Sequence, residues 1–202
     1  MLRLLRKAAP VAALFALLMQ TGAQAATVSV SMVNFSFTPD PAKALLGDTV
    51  KWTNTTTSTS HTSTQDSPLA LWDSGTVAPG GTFSFTVTAA GIFPYHCSFH
   101  QSLGMVGNAG ARDIVTPPSG PPGTIFTVQV ATVTAPAGFV YDAQIRKGTS
   151  GAWMTLASGF TTMSTTWDST GKPTGAYQLR SRLNKTGVAT SGWAPPFTIH
   201  VM

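Results

Sequence analysis

The chain has 202 residues and a formal net charge of +5, with seven aspartates and no glutamate. Three of its twelve lysines and arginines fall in the first seven residues, so residues 26–202 carry nine cations against the seven aspartates. That balance, with no run of Lys or Arg along the chain, excludes a nucleic-acid-binding protein, and a single cysteine excludes an internal disulfide.

Residues 1–25 have the form of an export signal. Arg3, Arg6 and Lys7 make a basic start, Val11 to Met19 an apolar stretch, and Ala23-Gln24-Ala25 a small-residue cleavage site. The apolar stretch is too short to favour a membrane-spanning helix. The expectation is an exported protein, periplasmic or extracellular, with no membrane span after cleavage. Next, Gly47-Asp48 reads as a turn into an alternating strand that places Val50 and Trp52 on one face. A polar loop, residues 55–60, leads to His61. Asp73-Ser74-Gly75 and Ala78-Pro79-Gly80-Gly81 mark turns. The alternation of Thr82-Phe83-Ser84-Phe85-Thr86-Val87 reads as a strand, and Gly91 to Cys97 as another that runs into a loop.

Residues 115–123 form a Pro/Gly break with four prolines, expected to be an extended, semi-stiff spacer. Beyond it, strand patterns recur over 126–130, 140–146, 153–156, 164–168, 176–182 and 197–201, with turn residues between them. That rhythm predicts a second β-sandwich. The expected organisation is an export signal over 1–25, a first domain over 26–115, a linker over 116–123 and a smaller second domain over 124–202. All of it is all-β.

The chemistry concentrates around Cys97. A lone exposed thiol outside the cell is an oxidation liability, so something should occupy it. His100 and Met105 follow Cys97 closely. Thiolate, imidazole and thioether are soft donors that suit copper, and a Cys plus two His with a weak axial Met is the donor set of a blue-copper electron-transfer site. His61 supplies the second imidazole. Its competitors are weaker: His96 adjoins Cys97 on a strand and so points to the other face, and His200 lies in the second half. The predicted ligands of one copper ion are therefore His61, Cys97, His100 and Met105.

Four segments together resemble the cupredoxins, in particular the plastocyanin/pseudoazurin-like group. They are residues 34–39 (Asn-Phe-Ser-Phe-Thr-Pro), residues 47–54 (Gly-Asp-Thr-Val-Lys-Trp-Thr-Asn), His61-Thr62, and the Cys97/His100/Met105 loop. The resemblance covers roughly residues 27–115, and the Cys97–Met105 spacing is similar to that of plastocyanin. It implies a Greek-key β-sandwich in which the four matching residues hold one copper. It also implies a non-enzymatic carrier of single electrons to a protein partner, with the His100 edge at the surface beside Phe99 and Leu103. Phe99 stands where many relatives have proline. Residues 106–112 lack the alternation of a usual last strand, which leaves that strand's register open.

Residues 124–202 resemble bacterial fibronectin type III-like modules through Gly175 to Arg182 and Ser191 to Pro196. The resemblance implies an Ig-like sandwich used as a spacer or adhesion unit, with one strand missing or supplied by the linker. Two other functions compete with electron transfer. One is copper binding for delivery or sequestration. The other is a surface interaction protein, which an exposed apolar or aromatic patch on the second module would mark. Asn34, Asn54 and Asn184 open glycosylation sequons.

Overall fold

The computed structural model describes residues 25–66 and 68–202. The export segment read over 1–25 therefore lies outside the described residues but for Ala25. No helix among the described residues is long and apolar enough to cross a membrane.

The first half contributes eight strands: β1 (Thr27–Val33), β2 (Ser36–Thr38), β3 (Ala42–Ala44), β4 (Thr49–Asn54), β5 (Thr64–Gln65), β6 (Thr82–Thr86), β7 (Gly91–His96) and β8 (Val106–Ala111). They form two four-stranded sheets, ordered β2-β1-β4-β6 and β3-β8-β7-β5. The chain passes repeatedly between the sheets, so β1 and β4 pair in parallel, as do β3 and β8. The alternation read in the sequence decides which side chains meet between the sheets. Val50, Trp52 and Asn54 of β4 point inward, as do Phe93 and Tyr95 of β7. Tyr95 meets Phe37 edge-on at 4.7 Å between ring centres and Trp52 at 5.3 Å, so aromatic contacts tie one sheet to the other.

β8 resolves the register that the sequence left open. It pairs antiparallel with β7, with Gly107 opposite Tyr95 and Ala109 opposite Phe93. Its inward positions are Gly107, Ala109 and Ala111. These are small because the partner strand fills the space: a Cβ on Gly107 would sit 2.7 Å from the Tyr95 ring. A strand whose inward side chains are nearly absent shows no hydrophobic alternation.

The second half has nine strands: β9 (Ile114–Thr116), β10 (Ser119–Gly120), β11 (Ile125–Gln129), β12 (Phe139–Lys147), β13 (Met154–Phe160), β14 (Ser164–Asp168), β15 (Gly175–Lys185), β16 (Ala189–Thr190) and β17 (Phe197–Val201). One sheet is ordered β14-β11-β9; the other is β10-β17-β15-β12-β13, with β16 on β15. Phe126, Tyr141, Trp167, Tyr177, Leu179 and Ile199 fill the space between them.

Residues 116–123, expected as a spacer that could lend a strand to the second module, do lend one. β9 pairs with β11, and β10 runs parallel to β17 at the sheet edge. Proline has no N–H to donate, but an edge segment can serve through its carbonyls. The amide of His200 donates to the Pro118 carbonyl at 3.1 Å, and that of Met202 to Gly120 at 3.0 Å. The segment is stitched into the second sandwich and is not a free tether.

The two halves share one continuous buried core. Across their junction the Ala90 amide donates to Val130 at 2.8 Å, and the Thr132 amide to Thr88 at 2.9 Å. Ile92 and Gly192 exchange two backbone hydrogen bonds of 3.0 and 2.9 Å. Gly91 adopts φ 153°, and a Cβ there would lie 2.6 Å from Ser191 Oγ, so only glycine lets the halves approach this closely. Fully buried Asp113 also sits at this junction, with Ser181 Oγ–H donating to its Oδ1. Its Oδ2 has no hydrogen-bond partner among the described residues.

Burial pushes the Asp113 carboxyl up to about 7, against the smaller opposing effect of the Ser181 hydrogen bond. A carboxyl raised on folding is favoured neutral, so its contribution is full below the ordinary carboxylate value and is lost as pH rises through about 7. Asp113→Asn is expected to remove the part of the stability loss between pH 4 and 7 that this group causes, on the order of a few kcal/mol. Urea unfolding of both proteins across that range checks it. Equal pH slopes would contradict the assignment.

Candidate metal centre

Cys97 continues the inward series of β7 and is fully buried. The neighbouring His96 faces the other way, with its Nδ1 2.6 Å from Asp66 Oδ1. The β7–β8 connection then folds back on itself. The His100 amide donates to the Cys97 carbonyl at 3.0 Å, and a short 3-10 turn, Gln101–Leu103, ends at Gly104 with φ 85°. The Cys97 amide donates to the Met105 carbonyl at 3.0 Å, and the Met105 amide to the His100 carbonyl at 3.2 Å. These bonds bring Cys97, His100 and fully buried Met105 together within one loop.

His61 enters from the opposite loop, between β4 and β5. Its backbone forms a two-bond bridge with Val77. That bridge is held by Asn54, fully buried at the end of β4, whose Nδ2 donates to the Thr59 and Val77 carbonyls at 2.8 Å each. Asn54 Oδ1 accepts from the Thr56 amide and hydroxyl at 3.1 and 2.7 Å. Asn54 therefore shapes the polar loop that delivers His61, and its burial closes it to glycosylation in the folded protein.

One nitrogen of His61, one of His100 and the Cys97 sulfur all lie within 4.8 Å of one another. Cys97 Sγ is 3.7 Å from His61 Nδ1 and 3.4 Å from His100 Nδ1. Nitrogen and sulfur donors about 2.0–2.3 Å from one first-row ion and 120° apart would be about 3.7 Å from each other. The donor set thus fits a single ion between the three side chains. The Thr62 amide also donates to the sulfur at 3.3 Å. Thr62 Oγ1 accepts the Ser98 amide at 2.8 Å, tying the two loops together.

The two imidazoles differ. His61 is fully buried, and its Nε2 finds no hydrogen-bond partner among the described residues. Burial, and then the His100 charge, hold its pKa below the ordinary histidine value. The ring therefore stays neutral at neutral pH and keeps a lone pair for a metal. His100 is partly exposed and ringed by apolar side chains. Phe35 meets it at 5.0 Å and Phe99 at 6.2 Å between ring centres, and exposed Leu103 sits in the same loop. Phe35 joins Phe99 and Leu103, the two rim residues expected from the sequence. It reaches His100 from the two-residue β1–β2 turn, where it adopts φ 61°, an unusual conformation for a phenylalanine. Thr62 and Asn54 stand in segments that carry the resemblance, but their roles were not legible, because hydrogen bonds between distant loops leave no periodic trace.

No protein-family model matches the chain, and no curated protein matches it in sequence. Among solved structures it is similar to an amicyanin variant in its reduced Cu(I) form at pH 4, with 22% identity, a TM-score of 0.39, and coverage of 42% of this chain and 81% of that one. An oxidised amicyanin variant matches at 20% identity over the same shares, also with a TM-score of 0.39. A copper-containing nitrite reductase from Thermus scotoductus SA-01 matches at 23% identity and a TM-score of 0.39, over 42% of this chain but 22% of its own.

His61→Ala is expected to weaken copper binding by about 100-fold or more, since a ligand loss should exceed the loss of a supporting hydrogen bond. His96→Ala, which loses only the Asp66 pair, is expected to bind copper like the unaltered protein. Calorimetric titration of both variants checks this, and the reverse order would overturn the choice of histidine.

Proposed function

We propose that the protein is an exported type 1 copper protein that carries single electrons between protein partners, and that it is not an enzyme. The observation that carries this reading is the asymmetry of the donor set. Cys97, His61 and Met105 are wholly buried, while His100 alone reaches a partly exposed position inside an apolar rim. In this reading Cys97, His61 and His100 would hold one copper, with Met105 as a further, weaker donor. When bound, copper supplies a one-electron couple between Cu(I) and Cu(II).

The residues supply the rest. The Thr62 amide stabilises negative charge on the Cys97 sulfur, and hydrogen bonds to a ligating sulfur tune its potential. The interlocked loops hold the donors in place whichever charge the site carries, which limits the rearrangement that accompanies electron transfer. The Phe35 and Phe99 rings beside His100, with exposed Leu103 in the same loop, offer a partner an apolar contact there. Delivery or sequestration of copper is less well supported, because a site meant to release its ion would not enclose three of its four donors.

Visible absorption of the copper-loaded, oxidised protein tests the reading. An intense thiolate-to-copper band is expected, and Cys97→Ser is expected to abolish it, because a hydroxyl cannot replace a soft thiolate. Absence of that band in the unaltered protein would overturn the proposal. Rapid loss of Cu(I) to a competing chelator would instead favour delivery.

Met105→Leu is expected to keep the copper and raise the reduction potential, since it removes a donor that favours Cu(II). Voltammetry of the two proteins decides this, and an unchanged potential would show that Met105 is not the axial ligand.

A further inference from the structure

A second constellation lies far from Cys97 in sequence, on the outward face of the β12–β15 pair. Asp142, Gln144 and Arg146 alternate outward on β12 and stand opposite Arg182, Arg180 and Gln178 on β15. Two indoles interleave with the three guanidinium groups. Arg146 and Arg180 lie 4.4 and 4.0 Å from the centre of the Trp153 ring, and Arg180 and Arg182 lie 4.7 and 4.4 Å from that of Trp193. The order along the face is Arg146, Trp153, Arg180, Trp193, Arg182.

The charges on this ladder are unevenly matched. Arg182 pairs with Asp142, whose oxygens also accept from Ser158, Gly159 and Asn184. Arg146 and Arg180 meet no carboxylate among the described residues. The Nε and Nη2 groups of Arg146 both donate to the neutral Gln178 Oε1, at 3.0 and 2.7 Å. Those of Arg180 donate to Gln144 Oε1 at 3.1 and 2.8 Å. Each guanidinium thus lies over an indole and holds an amide oxygen with its Nε and Nη2 groups. The Nη1 edge remains. Burial, and then the Arg146 and Arg182 charges, pull the Arg180 pKa below its ordinary value, as expected for cations crowded without an anion. The wider charge distribution agrees: residues 117–202 carry six lysines and arginines against two aspartates, while residues 26–116 carry three against five.

We propose that this face docks an extended acidic segment of a partner protein, with carboxylates at alternate positions seated on Arg146 and Arg180. A carboxylate fits the remaining planar edge of a guanidinium. The two arginines are diagonal neighbours across an antiparallel pair, about 7 Å apart at the backbone. Alternate side chains of an extended chain are also about 7 Å apart. An acidic polysaccharide is a poorer occupant, because sugar rings stack on indole faces and here guanidinium groups lie over them. An anionic membrane is poorer too, because the indoles held in the ladder are not free to insert. The inference is independent of the metal centre.

The test uses the full chain and a fluorescein-labelled peptide of alternating Asp and Thr, with a Lys/Thr peptide as control. The acidic peptide is expected to bind, and to bind more weakly as salt rises. Replacing both Arg146→Gln and Arg180→Gln is expected to weaken binding about tenfold or more. Replacing Lys51→Gln and Lys172→Gln, an equal loss of charge elsewhere, is expected to leave it unchanged within about twofold. Because Arg180 supports two indoles, phenylglyoxal footprinting of the unaltered protein gives a second readout: the peptide is expected to slow modification of Arg146 and Arg180 but not of Arg112. Equal weakening in both double variants, or protection centred on Arg112, would overturn the proposal. So would tighter binding of polygalacturonate or of phosphatidylglycerol vesicles than of the peptide.

Discussion

The hydrogen bond from the Thr62 amide to the Cys97 sulfur is the contact on which the site depends. It joins two loops well separated along the chain, one delivering His61 and the other Cys97, His100 and Met105. With the amide in place, and the Ser98 amide returned to Thr62 Oγ1, the two loops are fixed relative to each other before any ion is considered. Asn54 acts one step further out. Its amide organises the polar loop and holds Val77 against the His61 backbone, so the buried polar groups of this region are spent on geometry.

Much of this was legible in the sequence, and the reasons differ by residue. Cys97, His100 and Met105 lie close together along the chain, so their chemistry was visible as a cluster. His61 could be selected because strand geometry turns His96 away, and the Asp66 contact shows where His96 goes. Strand β4 was visible because the inward Val50 and Trp52 alternate with polar residues, and β7 because its run of large side chains follows a glycine and leads into the ligand loop. β8 was not, because Tyr95 and Phe93 across from it require Gly107 and Ala109 to be nearly featureless. The rim residue Phe35 was hidden because its position follows from a backbone turn.

The arginine–tryptophan ladder shows the same limit from the other side. No basic cluster exists along the chain, yet Arg146, Arg180 and Arg182 become neighbours once β12 and β15 pair. Composition averages over a face whose charge is local. Pairing arginine with glutamine across the strands satisfies hydrogen bonds without cancelling charge, a distinction that no count of residues can express.

The Pro/Gly stretch after residue 115 looks like a hinge at which two gene fragments were joined. The fold gives it the opposite meaning. Its strands belong to both sheets of the second sandwich, and the residues just before it, Arg112 and Asp113, reach across to Phe197 and Ser181. A recombination event there would cut through β9 and leave an edge of β17 bare. Exchanging one half for an unrelated module would therefore require rebuilding the surface against which the other half is folded.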